Sequence, residues 1–221
     1  MADFTEASTF FRVLAAVSRP VLYGPFRLRA FGLEHVPPAG GFVLASNHTS
    51  NLDAWPLALP LYPRQLHFMA KAELYKPVLR PILDATGAFP VRRGERDAEA
   101  FKTAVWLARE DGVVAMFPEG TRRNKGLRKK REARPHPGAA RIALAAGVPL
   151  VPAAIAGTDR LSRFGPFRVA YGAPIELDGL GTTRREAAHE ATGRLMEEIK
   201  RLERVLSGHL RGSDVASSMN P

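Results

Sequence analysis

Short apolar runs alternate with longer periodic segments along this chain. Residues 42–45 (FVLA), 66–70 (LHFMA) and 113–117 (VVAMF) are bounded by glycine or polar positions and read as buried strands. Residues 147–155 form a further buried strand punctuated by Pro149 and Pro152, and 167–172 a last one. Residues 88–93 are a short extended piece ending in Arg92 and Arg93. Between the strands lie helical patterns. Residues 53–61 are a proline-interrupted helical or irregular stretch, and 76–85 a short helix stopped by Gly87. Asp97 is a good N-cap for a helix with Phe101, Val105 and Ala108 on one face, ended by Gly112. Residues 138–146 (GAARIALAA) make a small-residue helix suited to close packing on a sheet. Ala187, Ala191, Leu195, Ile199, Leu202 and Leu206 recur at helical spacing, which predicts an amphipathic helix over 183–210. Strands alternating with helices predict an α/β fold with a mainly parallel central sheet flanked by helices.

Two stretches fall outside that pattern. In residues 4–31 aromatic and aliphatic side chains are interleaved with Arg12, Arg19, Arg27 and Arg29, while Pro20 and Pro25 break the segment into short pieces. Apolar residues mixed with arginine resemble an interfacial membrane segment, set against the alternative of a helix packed on the domain. Residues 122–134 carry eight Lys or Arg against Glu132, and read as a solvated loop. The formal net charge of +10 calls for an anionic partner: a membrane surface, a phosphate-bearing substrate, an acidic protein or nucleic acid. With no cysteine, thiol nucleophiles, disulfides and Cys-type zinc sites are excluded. The six histidines are scattered, which argues against a metal enzyme. The start of the chain does not read as a signal peptide, and no apolar run reaches the ~18 residues of a spanning helix.

Candidate chemistry gathers at 47–53 (NHTSNLD), where the first apolar run ends. In open α/β sheets, sites form at the carboxyl ends of strands. His48 beside Asp53 has the makings of a general base held in one tautomer by an acid. The plain alternative is that Asp53 caps the next helix and His48 is a loop residue. On a regular helix, positions five apart sit about 140° from each other. The pair can therefore meet only if His48 lies in the loop and Asp53 in the first helical turn.

Four blocks then stand in order: NHTSNLD, GAFPVRR, FPEGTR and VPLVP. Together they resemble the glycerolipid acyltransferase family, whose best-known members are lysophosphatidate acyltransferases. The match runs from about Phe42 to Ile155, extended by Gly157-Thr158 and by residues 169–175. The resemblance implies a glycerol-3-phosphate acyltransferase-like fold, with an acyltransferase domain over 34–210. Residues 1–33 would be an amphipathic membrane-associating segment and 211–221 a disordered tail.

The implied reaction moves a fatty acyl group from acyl-CoA or acyl-carrier protein to the free hydroxyl of 1-acylglycerol-3-phosphate, giving phosphatidate, with no cofactor beyond the acyl donor. His48 would remove the acceptor's proton and Asp53 would orient the imidazole. Arg92 and Arg122 are candidates for the acceptor's phosphate, with Arg93 as helper, because a guanidinium fork matches phosphate geometry. Glu119, Gly120 and Thr121 complete the substrate-binding set. Glu119 either binds glycerol hydroxyls or holds an arginine, and Gly120 permits a tight turn. Two positions depart from the family pattern. Arg123 stands where many members have Ser. Pro135-His136-Pro137-Gly138 lacks the usual basic residue before the next helix, which bears on donor binding, and His136 there fits a structural role. The expected location is the cytoplasmic face of the cell membrane, peripheral or monotopic, against an anionic lipid surface. The same chemistry on another lysophospholipid or a glycolipid stays open, as does a basic non-enzymatic module binding anionic membrane or nucleic acid. No nucleic-acid motif supports the last, and no nucleic-acid partner is expected.

Overall fold

The structure is a computed structural model that describes residues 7–92, 97–120 and 135–218, with side chains at 161–163 and 211–218 left aside. Seven strands form one sheet: β1 (Arg29–Phe31), β2 (Phe42–Ser46), β3 (Leu66–Lys71), β4 (Phe89–Val91), β5 (Val113–Met116), β6 (Leu150–Ala156) and β7 (Arg168–Tyr171). Their spatial order is β1-β7-β6-β2-β5-β3-β4. All neighbours are parallel except β6 and β7. The expected mainly parallel α/β architecture is therefore what the chain adopts. β2 and β5 run through the middle and are buried along nearly their whole length. That explains their unbroken apolar runs: a central parallel strand is covered on both faces.

Among the described residues six α-helices flank the sheet: α1 (Thr9–Tyr23), α2 (Ala54–Ala58), α3 (Arg80–Ala85), α4 (Ala98–Arg109), α5 (Gly138–Ala146) and α6 (Arg184–Ser218). One layer of core joins α1 and α2 to alternate strand residues such as Phe42, Leu44, Ala115 and Ile155. The opposite layer joins α4, α5 and α6 to Val43, Ala45, Val114 and Leu150. On α4 the buried stripe is Ala100, Ala104, Leu107 and Ala108, with Phe101 and Val105 at its margin. At the start of α6, Thr183 Oγ1 accepts from the Glu186 N–H, and Glu186 accepts from the Thr182 and Thr183 N–H groups, a capping box.

One expectation about the N-terminal segment changes. The N-terminal segment is not broken at Pro20: α1 runs through it as one helix. Pro20 falls in the last turn with its ring exposed, so only one intrahelical bond is lost, while Phe11, Ala15 and Leu22 anchor the helix on both sides of it. After α1, β1 pairs with β7 and belongs to the sheet. At the other end α6 runs from Arg184 to Ser218. Among the described residues no helix is long and apolar enough to cross a membrane.

Candidate active site

Three parallel strands, β5, β2 and β6, deliver their carboxyl ends to one edge of the sheet. After β2 come Asn47 and His48, after β5 the run Phe117-Pro118-Glu119-Gly120, and after β6 Gly157-Thr158. The loop after β2 is tied down first. Asn47 donates from Nδ2 to the Ile155 carbonyl at 2.9 Å and accepts from the Ile155 N–H at 2.8 Å. This amide is buried and acts as a two-point latch between β2 and β6.

His48 and Asp53 meet. Nδ1 of His48 is 2.8 Å from Oδ2 of Asp53, with His48 in the loop and Asp53 at the N-cap position, immediately before α2. The plain capping reading is tested directly. Asp53 stands at the N-cap position with helical backbone angles (φ −54°, ψ −37°), and its side chain makes no cap hydrogen bond. It turns back into the loop instead. There Oδ2 also accepts from the backbone N–H of Thr49 at 2.6 Å and of Ser50 at 2.8 Å. Oδ1 accepts from Thr158 Oγ1 at 2.5 Å and from Thr49 Oγ1 at 3.3 Å, and the two threonine hydroxyls lie 3.0 Å apart.

This donor set decides the tautomer. Oδ2 already receives two amide hydrogens, so the hydrogen between it and His48 sits on Nδ1. In the neutral ring Nε2 is then the proton acceptor. Asp53 is fully buried, whereas the His48 side chain keeps 14% of its surface open. The imidazole lies flat on Phe117, with centroids 4.1 Å apart and planes 14° from parallel. Hydrogen bonds set the ring's edge and Phe117 sets its face. The arrangement offers a fixed base at the carboxyl edge of the sheet, with part of its surface open.

The remaining sequence-derived residues divide. Glu119 is 4% exposed, inside the edge rather than on the surface. Gly120 has φ +65°, a conformation that favours glycine, and its N–H donates to the Phe117 carbonyl at 2.9 Å. A Cβ there would sit 3.0 Å from His136 Cδ2. The His136 N–H donates to the Pro118 carbonyl at 2.8 Å, so this histidine fastens the entry to α5 onto the loop after β5. Both Glu119 and Gly120 lie in the loop that follows β5, the strand next to β2. Arg92 follows β4, three strand steps from β2, roughly 14 Å at the usual spacing. It is exposed, and its N–H donates to Asp97 Oδ2 at 2.9 Å. Arg93, Thr121 and Arg122 lie outside the described residues, as does the basic run. Among the described residues no cluster of three His, Asp or Glu is placed to hold a metal.

Sequence reasoning missed the parts played by Asn47, Phe117, the Thr49 and Ser50 amides, and Thr158. Each had a signal only as part of the family resemblance: Asn47, Thr49 and Ser50 in NHTSNLD, Phe117 in FPEGTR, and Thr158 in Gly157-Thr158.

Fold and site define a class: an α/β protein with a His–Asp base pair at the carboxyl edge of a mostly parallel sheet, arranged to activate a hydroxyl. The comparisons make the assignment. The Acyltransferase family model matches residues 27–156, more than half of the chain, and the chain belongs to that family. That membership favours the acyltransferase reading over the basic-module one. Over 184 residues it is 32% identical to the 1-acyl-sn-glycerol-3-phosphate acyltransferase of Bacillus subtilis, covering 81% of this chain and 89% of that protein. The enzyme of that name from Streptococcus pneumoniae is 27% identical over 73% of this chain and 60% of its own length. In the fold, the crystal structure of the 1-acyl-sn-glycerophosphate acyltransferase PlsC from Thermotoga maritima superposes with a TM-score of 0.59 at 22% identity, covering 85% of this chain and 80% of that one.

Proposed function

We propose that this acyltransferase moves a fatty acyl group from acyl-CoA or acyl-carrier protein to the free hydroxyl of 1-acylglycerol-3-phosphate, forming phosphatidate at a membrane surface. One observation carries the mechanism: Nδ1 of His48 held 2.8 Å from a buried, donor-saturated Asp53, which leaves Nε2 as the base. Nε2 takes the proton as the acceptor oxygen attacks the thioester carbonyl carbon. The carbon–sulfur bond then breaks, and the imidazolium returns its proton to the leaving thiolate, so no acyl-enzyme forms. A positioned base of this kind supplies roughly 10²–10⁴-fold. Asp53 stabilises the imidazolium, as the acid of a hydrolase triad does. Arg92 takes the phosphate together with Arg93 and Arg122, while Glu119, Gly120 and Thr121 shape the acceptor site. The acceptor assignment is supported by the activity named for the relatives from Bacillus subtilis and Streptococcus pneumoniae and by Arg92, which follows β4 at the carboxyl edge of the sheet.

Purified protein given 1-acylglycerol-3-phosphate and long-chain acyl-CoA is expected to release thiol and form phosphatidate, read by a thiol reagent and mass spectrometry. Acyl-carrier protein in a parallel reaction separates the two donors. His48→Ala abolishes turnover with the fold intact, and full activity in that variant overturns the mechanism. Arg92→Ala is expected to slow only phosphate-bearing acceptors.

A further inference from the structure

The helical layer over the face opposite α4, α5 and α6 leaves large apolar side chains uncovered in two places. On α1, Phe10, Val13, Val17 and Val21 fall at helical spacing on the outer side, with Val13 58% and Val17 68% exposed. The inner side of the same helix buries Phe11, Ala15 and Leu22. The second place is residues 74–82, which leave the carboxyl end of β3 and lead into α3. Leu74, Leu79 and Ile82 are exposed, and Val78 is 82% exposed. α3 buries none of its residues.

This second stretch is an ordered knuckle. The N–H groups of Tyr75, Lys76, Leu79 and Arg80 donate to carbonyls at Ala72, Leu74 and Lys76, and Thr86 Oγ1 closes the end of α3 on the Ile82 and Leu83 carbonyls. Its apolar tips are therefore held outward on a fixed backbone. A right-handed crossover from β3 to β4 puts α3 on the same face as α2, since both connections move in one direction along the sheet. Contacts agree: Ser8, the N-cap of α1, donates from Oγ to the Ala85 carbonyl at 2.7 Å, and Trp55 of α2 donates to Ser18 of α1 at 3.0 Å. The two exposed sets thus share one layer.

The charge around them is net positive. Residues 7–33 hold Arg12, Arg19, Arg27 and Arg29 and no acid. Residues 71–85 add Lys71, Lys76 and Arg80 against Glu73 and Asp84, and Arg80 lies 3.6 Å from Asp84. Exposed apolar side chains beside an excess of cations match an anionic bilayer surface: the tips enter the acyl boundary while the unpaired cations meet headgroups.

We infer that residues 74–82 form a second lipid-docking element, which acts with the outer face of α1 to seat this layer on an anionic phospholipid bilayer. The inference rests on the membrane-surface reading above and extends it to a part of the chain outside the N-terminal segment. Because the knuckle leaves β3 at the carboxyl edge, docking through it brings the His48 edge close to the lipid. A membrane-resident acceptor then reaches the base without leaving the interface.

The test is co-sedimentation of the full chain with vesicles of phosphatidylcholine plus phosphatidylglycerol and of phosphatidylcholine alone. Val78→Glu/Ile82→Glu is expected to weaken binding to the anionic vesicles by about tenfold or more. Val13→Glu/Val17→Glu is expected to do the same. Val205→Glu, exposed on α6 of the opposite layer, is expected to bind as the wild type does. All three variants change exposed side chains, and far-ultraviolet circular dichroism checks that they fold. Undiminished vesicle binding by Val78→Glu/Ile82→Glu overturns the inference. So does a self-associated wild type that the same double substitution turns into monomer with vesicle binding unchanged, since a second copy would then cover this face. Thiol release with a short-chain, water-soluble acceptor is measured alongside. Its absence in the wild type would strike the proposed activity alone, whereas its persistence in the knuckle variants with binding lost is the result expected here.

Discussion

Replacing Asp53 by Asn removes a charge while keeping nearly all of the shape. The amide oxygen can take the place of Oδ2, where three N–H groups converge from Thr49, Ser50 and His48. The amide nitrogen then falls at Oδ1, facing two hydroxyls, Thr49 and Thr158, that can rotate to accept. Ring orientation and tautomer should survive. What is lost is the attraction between the carboxylate and the imidazolium formed as the acceptor is deprotonated. For unit charges roughly 4 Å apart at an effective dielectric constant of about 20, that attraction is about 4 kcal/mol. At 1.36 kcal/mol per decade, kcat should fall about a thousandfold. Initial rates of thiol release at saturating acyl-CoA and acceptor give kcat, and the melting temperature shows that the fold persists. A folded Asp53→Asn enzyme within threefold of wild-type kcat would refute the reasoning, because the acid would then act through geometry alone.

Thr158→Val deletes a donor to a buried carboxylate and should cost about 1.5–3 kcal/mol. Calorimetry should see this as a lower melting temperature, with Thr158→Ser restoring both stability and rate. Asn47→Ala strands the Ile155 N–H and carbonyl in the interior, at about 1–3 kcal/mol for each unsatisfied group. Urea titration is expected to give a lower midpoint, together with a lower kcat as the His48 loop loosens. Asp97 accepts from the Arg92 and Ala100 N–H groups, which hold its carboxyl below the usual range, the Arg92 bond first. A depressed folded pKa contributes stability above the unfolded pKa and loses it as pH falls through the folded one. Thermal melts should therefore show Asp97→Ala less stable than wild type at neutral pH, with the gap closing below about pH 4.

The central strands were legible because burial on both faces forces contiguous apolar runs, and β2, β5 and β6 show them. β1 was not, since three residues at a sheet edge carry no period and pair with β7 only through the tertiary fold. Pro20 misled for a related reason. Local propensity breaks a helix there, but Phe11, Ala15 and Leu22 bury enough surface to hold it. His48 and Asp53 could be found because their spacing demands a loop followed by a helical turn. Asn47, Phe117 and Thr158 could not be assigned parts, because Asn47 and Asp53 meet partners more than a hundred positions away, and nothing local marks a hydroxyl or ring that will be used there.

The latch from Asn47 to Ile155 and the bond from Thr158 to Asp53 also set an order of assembly during synthesis. His48 and Asp53 leave the ribosome early, yet the strand that pins their loop and the hydroxyl that completes the acid's surroundings arrive about a hundred residues later. A nascent chain that ends before Thr158 can form the loop but cannot lock it. The growing polypeptide therefore carries no finished catalytic base until most of its sheet has emerged, and premature termination anywhere upstream is expected to leave an inert fragment.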